Sequence, residues 1–106
     1  MNKVIDKLPA LVQEELAAAN AEHPAFHSLH EGYAVLLEEV EEAKKEMDGM
    51  ENCMMSIWAC VRNDKIGIAL NWADILENVA TRLAAEAIQV ADMAEKLRAY
   101  AEGCIV

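Results

Sequence analysis

Apolar residues recur every three or four positions along most of this chain. The first series runs through Val4, Ile5, Leu8, Leu11, Val12, Leu16 and Ala19. This spacing places the side chains on one face and predicts an amphipathic helix. Pro9 allows two alternatives for the start of this helix. Either the proline lies in the first turn of the main helix, or a short initial turn precedes a kink at the proline. The pattern breaks from His23 to His27, around Pro24, which predicts the first loop.

A second helix is predicted from Ser28 to Met47. Ser28 and Glu31 have capping-box spacing, in which the Ser hydroxyl accepts a backbone N–H and the Glu side chain reaches back to the cap. We expect one apolar stripe of this helix to face a core: Tyr33, Leu36, Leu37, Val40, Ala43 and Met47. Because Gly costs about 1 kcal/mol relative to Ala inside a helix, a bend or short loop is expected at Asp48-Gly49.

Two further helical segments follow. The third is expected to be mostly buried through Met50, Cys53, Met54, Ile57, Trp58 and Val61. It should end at 62–64, where Asn63 or Asp64 can cap the next segment. The last is one long helix with an apolar stripe from Leu70 to Ala101, stopped by Gly103. Since no stretch alternates with the period of two that a half-buried strand shows, the predicted fold class is all-α, a bundle of three to four helices.

Composition predicts one domain that assembles with copies of itself. The chain has 106 residues, of which 55% are hydrophobic. This length suffices for a single domain, residues 1–106, with a core of its own. The apolar content exceeds what so small a unit readily covers, so a homodimer or homotetramer is expected.

Charge and cysteine usage narrow the partners and the compartment. With 19 acidic against 9 basic residues the net charge is −10, which argues against binding nucleic acid or an anionic membrane surface and suits a divalent cation. No apolar run approaches the roughly 18 residues of a membrane span, and no leader is recognised. Three cysteines without Cys-x-x-Cys spacing indicate reduced thiols, so the expected location is the cytoplasm.

Carboxylates border the apolar stripe of the second helix. Glu39 and Glu42 form an i, i+3 pair on one flank and can share a cation. Glu38 and Glu41 lie beside them, on the flanks and back of the helix.

On the last helix, Glu86 projects close to the apolar stripe and Gln89 lies one turn further on. Asp92 is expected to point to the far side, as a poor partner for either. A carboxylate beside an apolar face is costly unless it is paired, hydrogen-bonded or metal-bound. The simplest partner for Glu86 is Arg82, four residues before it.

These motifs carry a resemblance. Glu38-Glu39-x-x-Glu42 followed by Glu86-x-x-Gln89 resembles the E-E-x-x-E and E-x-x-D pair of the all-α MazG-like nucleoside triphosphate pyrophosphohydrolases. The sequences of 26–42 and 83–94 are similar to small MazG-like proteins of phages and their bacterial hosts, and the resemblance covers most of the chain. It implies Mg²⁺-dependent cleavage of a nucleoside triphosphate between the α and β phosphates, on a helical bundle completed by dimers or tetramers.

The resemblance also implies residue roles. Glu38, Glu39 and Glu42 would form the catalytic set, with Glu38 as a supporting ligand or base. Glu39, Glu42 and Glu86 would bind the metal, with Gln89 beside them, and Mg²⁺ or Mn²⁺ suits such oxygen ligands. Gln89 departs from the family pattern, because an amide can coordinate but brings no charge and cannot act as a base. The alternative is a catalytically silent helical oligomer that acts through protein partners or binds metal weakly.

A second metal hypothesis is weaker. His23, His27 and His30 surround the first loop and could bind Zn²⁺, but they are three of a four-ligand set without a nearby Cys. An exposed or capping role for these histidines is favoured.

Overall fold

The structure, a computed structural model, describes residues 2–22 and 25–105. Over these ranges it consists of three α-helices and no strand: α1 (Asn2–Glu22), α2 (Leu29–Asn63) and α3 (Ile66–Cys104). The prediction of an all-α bundle of three to four helices is confirmed. Of the predicted first loop, residues 25–27 are non-helical, whereas His23 and Pro24 lie outside the described residues. No helix in the described ranges is both long and apolar enough to cross a membrane.

Helix α1 runs through Pro9 without a break. The alternative in which Pro9 opens the helix is therefore wrong, since α1 begins at Asn2. Pro9 has no N–H to donate to the carbonyl of Ile5, one turn earlier. Ile5 is exposed. Water can therefore reach that part of the helix.

Helix α2 continues through Gly49, so the predicted short loop at 48–49 and the separate third helix are wrong. A Cβ atom placed on Gly49 would lie 3.3 Å from Cγ1 of Val79 on α3, and Val79 is 5% exposed. The absent side chain lets α3 pack closely against this point of α2. That packing offsets the helix-propensity cost of Gly, about 1 kcal/mol, from which the bend was predicted.

The end of α2 at Asn63 is closed by its own backbone. Asp64 has φ 54°, the left-handed conformation that follows many helices. The N–H of Lys65 donates to the carbonyl of Cys60 at 2.9 Å. The Asn63 amide donates to the carbonyl of Ala59 at 2.8 Å. Asn63 therefore caps the end of α2 and not the start of the next helix.

The chain forms two compact units, and α2 and α3 contribute to both. The first unit comprises residues 1–40 and 86–106, and the second comprises residues 41–85. In the first unit, the Gln13 amide of α1 donates to both carboxylate oxygens of Glu95 on α3 at 3.0 Å. The Tyr100 hydroxyl of α3 donates to the carbonyl of His27 at 3.3 Å. These bonds tie α1 and the segment before α2 to α3.

The second unit is a helical hairpin. Nε of Arg82 on α3 lies 3.2 Å from the Glu46 carboxylate on α2. Cys53 and Cys60 are buried free thiols on one face of α2. Their burial agrees with the predicted reduced state of the cysteines.

Much of the predicted apolar face of α2 is exposed. Leu36 and Ala43 are half-buried, but four other stripe residues expose 40–65% of their surface: Tyr33, Leu37, Val40 and Met47. In the predicted third segment Met54, Trp58 and Val61 expose 56–63%. The prediction that this segment is mostly buried is therefore wrong for these side chains. The face of α2 that packs is narrower than the predicted apolar stripe. It includes Gly49, Cys53 and Cys60, whose small size lets the neighbouring helix approach closely.

Candidate functional site

The predicted site residues fall in both compact units. Glu38, Glu39, Glu86 and Gln89 belong to the first unit and Glu42 to the second. Glu38 is exposed, whereas Glu39 and Glu86 are half-buried.

The first unit contains a cavity of about 630 Å³. It is lined by residues of all three helices and of the segment before α2: Glu15, Ala18, Ala19, Ala25, Phe26, His27, Glu31, Val35, Glu39, Gln89, Asp92, Met93 and Lys96. The structure thus brings together Glu39 and Gln89, which come from the two predicted motifs. Glu38 and Glu86 are not among the residues that line it.

Glu42 and Arg82 have other partners than those expected. Glu42 lies 3.7 Å from Lys45 one turn along α2, and both side chains are largely exposed. Such a surface pair contributes at most about 1 kcal/mol to stability. Arg82 pairs with Glu46, so the expected Arg82–Glu86 salt bridge is wrong. Glu86 is a half-buried residue, and Arg82 is not the partner of its carboxylate.

The cavity is lined by oxygen atoms of the chemical type that binds a hard cation. Mg²⁺ takes oxygen ligands and is usually held by one or two carboxylates, with substrate phosphates and water completing its shell. Glu39 and Gln89 offer such oxygens from two helices. Within residues 2–22 and 25–105, no three His, Cys, Asp or Glu side chains are gathered into a metal-holding group. Binding of Mg²⁺ by Glu39, Glu42, Glu86 and Gln89 stays a prediction.

The deepest polar residue of the cavity was not selected from the sequence. Asp92 is 2% exposed, and its Oδ1 has no hydrogen-bond partner among the described residues. Burial raises the pKa of its carboxyl to about 6, with smaller contributions from the negative charges of Glu15 and Glu95.

The expectation that Asp92 points away from Gln89 is wrong, since both line the cavity. The reason is local: Gln89 and Asp92 are three residues apart and therefore lie on one flank of α3, as Glu39 and Glu42 do on α2. Glu15 of α1 lines the same cavity.

Lys96, one turn beyond Asp92, is the second functional candidate that the sequence did not reveal. It is 7% exposed, and its ammonium lies 5.0 Å from the centroid of the Phe26 ring. A cation at this distance from an aromatic face is attracted by the ring quadrupole. The i, i+4 spacing of Asp92 and Lys96 was the available signal, because residues so spaced share a helix face.

The start of α2 shapes the wall of the cavity beside Phe26. The N–H of Glu31 donates to Oγ of Ser28 at 3.1 Å. This confirms Ser28 as the cap. The Glu31 carboxylate does not complete the capping box and lies 3.2 Å from Nδ1 of His27. His27 has an 82% exposed side chain. The exposed position favoured for this histidine is therefore confirmed.

Comparisons of the chain with protein-family models, with curated proteins and with solved structures find no match. Membership of the MazG-like group therefore stays a prediction that rests on the resemblance of the motifs quoted above.

Proposed function

We propose that this protein is a Mg²⁺-dependent nucleoside triphosphate pyrophosphohydrolase, which hydrolyses the bond between the α and β phosphates. The observation that supports this most is the shared position of Glu39 and Gln89, one from each motif, on a single cavity. The cavity volume of about 630 Å³ is within the range of roughly 300–1,000 Å³ that is usual for small-molecule sites.

In this proposal the protein's side chains would position the cation and the triphosphate, and the cation would neutralise phosphate charge. When bound, Mg²⁺ would neutralise charge on the phosphate oxygens and make a coordinated water easier to deprotonate. Glu39 would hold the ion with Gln89 beside it, and the resemblance adds Glu42 and Glu86 as ligands. By the resemblance, Glu38 would be a supporting ligand or the general base that takes the proton of the attacking water. Gln89 contributes an oxygen without charge, so cation affinity would depend mainly on the glutamates.

The test is pyrophosphate release from the common ribo- and deoxyribonucleoside triphosphates with Mg²⁺ or Mn²⁺. The wild type should release pyrophosphate from at least one of them, and Glu39→Gln should lower kcat/KM at least about 100-fold. Glu41→Gln is the matched control, since Glu41 is exposed, lies two residues along α2 and does not line the cavity. Equal activity of the two variants would refute the assigned role of Glu39.

A second candidate is the catalytically silent oligomer. The exposed apolar residues of α2 favour it, above all Met54 and Trp58, which expose 56% and 59% of their surface. Such residues commonly mark protein contacts. Absence of pyrophosphate release from every nucleotide, together with a stable oligomer in sedimentation, would favour this second function.

A further inference from the structure

Asp92 is a buried carboxylate of the first unit with an unsatisfied oxygen among the described residues. It and Cys53 are the largest fully buried side chains among the described residues. Both oxygens of nearby Glu95 accept hydrogen bonds from Gln13, but Oδ1 of Asp92 accepts none from the described residues. Native proteins rarely leave a buried acceptor unsatisfied, because its lost hydration is then uncompensated. A donor supplied by a ligand would satisfy this oxygen.

The surroundings of Asp92 indicate the kind of donor. Small or apolar side chains form much of the cavity wall: Ala18, Ala19, Ala25, Phe26, Val35 and Met93. Such a wall accommodates a flat heterocycle, which can pack against apolar and aromatic groups. The carboxylate of Glu15, whose negative charge acts on Asp92, also lines the cavity and disfavours a phosphate beside Asp92.

We propose that Asp92 is a specificity-determining residue, whose Oδ1 accepts a hydrogen bond from the exocyclic amino group of a nucleobase held in the cavity. The choice of a nucleotide as ligand rests on the proposed function. Cytosine and adenine carry such an amino group. Uracil and hypoxanthine have a carbonyl oxygen in its place. That oxygen and the Asp92 carboxylate are both acceptors, and no proton would lie between them. The protein should therefore prefer amino-bearing bases.

The experiment compares bases that differ at this one group. Calorimetry with Mg²⁺ present would measure the binding of cytidine against uridine monophosphate, and of adenosine against inosine monophosphate. The wild type should bind the amino-bearing member of each pair at least about tenfold more tightly, the ratio expected for one buried hydrogen bond to a charged acceptor. Equal affinities within both pairs would overturn the proposal, as would failure of all four nucleotides to bind.

Asp92→Asn tests the residue itself. The amide can accept from an amino group or donate to a carbonyl, so the preference should fall to within about threefold. Asp74→Asn makes the same change at an exposed position of α3 and should keep the full preference. Circular dichroism would verify that both variants fold. An undiminished preference in folded Asp92→Asn overturns the proposal.

Pyrophosphate release from the corresponding triphosphates separates this inference from the proposed function. An amino-group preference in binding without any pyrophosphate release would support the role of Asp92 and refute the hydrolase. Pyrophosphate release with equal kcat/KM for both members of each pair would support the hydrolase and overturn the role of Asp92.

Discussion

Replacing Asp92 by Asn should change how the stability of this protein depends on pH. The pKa of the Asp92 carboxyl is about 6 in the folded protein, against an ordinary value of 3.8, chiefly because burial disfavours its charged form. Between these two values the folded state binds more protons than the unfolded state. The free energy of unfolding therefore falls as the pH rises from about 4 to about 6.

The size of the effect follows from the pKa shift. A shift of roughly two units at about 1.4 kcal/mol per unit corresponds to ~3 kcal/mol lost on going from acid to neutral pH. Asn has nearly the same shape and does not ionise, so the variant lacks this loss. Relative to the wild type, Asp92→Asn should therefore gain about 2–3 kcal/mol as the pH rises from about 4 to about 7.

Urea unfolding followed by circular dichroism, at several pH values across this range, measures the difference directly. Using the change with pH rather than the absolute difference removes the contribution of any new contact that the amide makes. Asp74→Asn, at an exposed position of α3, serves as the control and should show a nearly constant difference from the wild type. A difference between Asp92→Asn and wild type that stays constant, or that shrinks as the pH rises, would refute the reasoning.

Three further predictions concern packing, metal and assembly. Gly32→Ala should destabilise the protein by about 1 kcal/mol or more in urea unfolding, because the new Cβ would lie 2.6 Å from Cδ1 of Leu97 and 3.2 Å from the buried Phe26 ring, and this crowding should exceed the helix-propensity gain of Ala. Gly67→Ala, whose Cβ would meet no atom of another described residue within 4 Å, should instead stabilise by up to about 1 kcal/mol, and equal effects of the two would contradict the packing argument. Millimolar Mg²⁺ should raise the melting temperature more than matched ionic strength does, and Gln89→Asp should enlarge that rise by adding a charged oxygen donor; no rise in either protein counts against the metal site. In sedimentation the wild type should be a dimer or tetramer and Trp58→Glu mainly a monomer; a monomeric wild type at micromolar concentration contradicts the expected assembly.

The sequence by itself determined the fold class and most helix positions. Apolar residues at intervals of three and four gave the all-α prediction, because the helical repeat is a property of the local backbone. Ser28 was correctly identified as a cap, since a hydroxyl there reaches the backbone N–H of Glu31 whatever the rest of the chain does. The break around 62–64 was also predicted, although Asn63 caps the end of α2 and not the start of α3. Such signals act over a few residues and need no tertiary partner.

The sequence also selected Glu39 and Gln89, which the structure places on one cavity. Their motifs favoured them through order and spacing. Periodicity could only place each residue on a face of its own helix, and it gave no distance between helices. Helical periodicity therefore could not predict which of the other candidate carboxylates lie at the same cavity as Glu39 and Gln89. Arg82 shows the limit, since its partner is Glu46 on the other helix and not Glu86 on its own.

Tertiary packing alone decided the remaining features. Gly49 stays helical because Val79 packs against its bare backbone, a contact made by residues thirty positions apart in sequence. Asp92 is buried because α3 packs against α1 as well as α2, so that a side of α3 not covered by α2 is covered by α1. Both outcomes depend on which surfaces meet. Helix propensity and amphipathic spacing describe a helix in isolation, whereas burial, and with it the raised pKa of Asp92, depends on the neighbours that surround it.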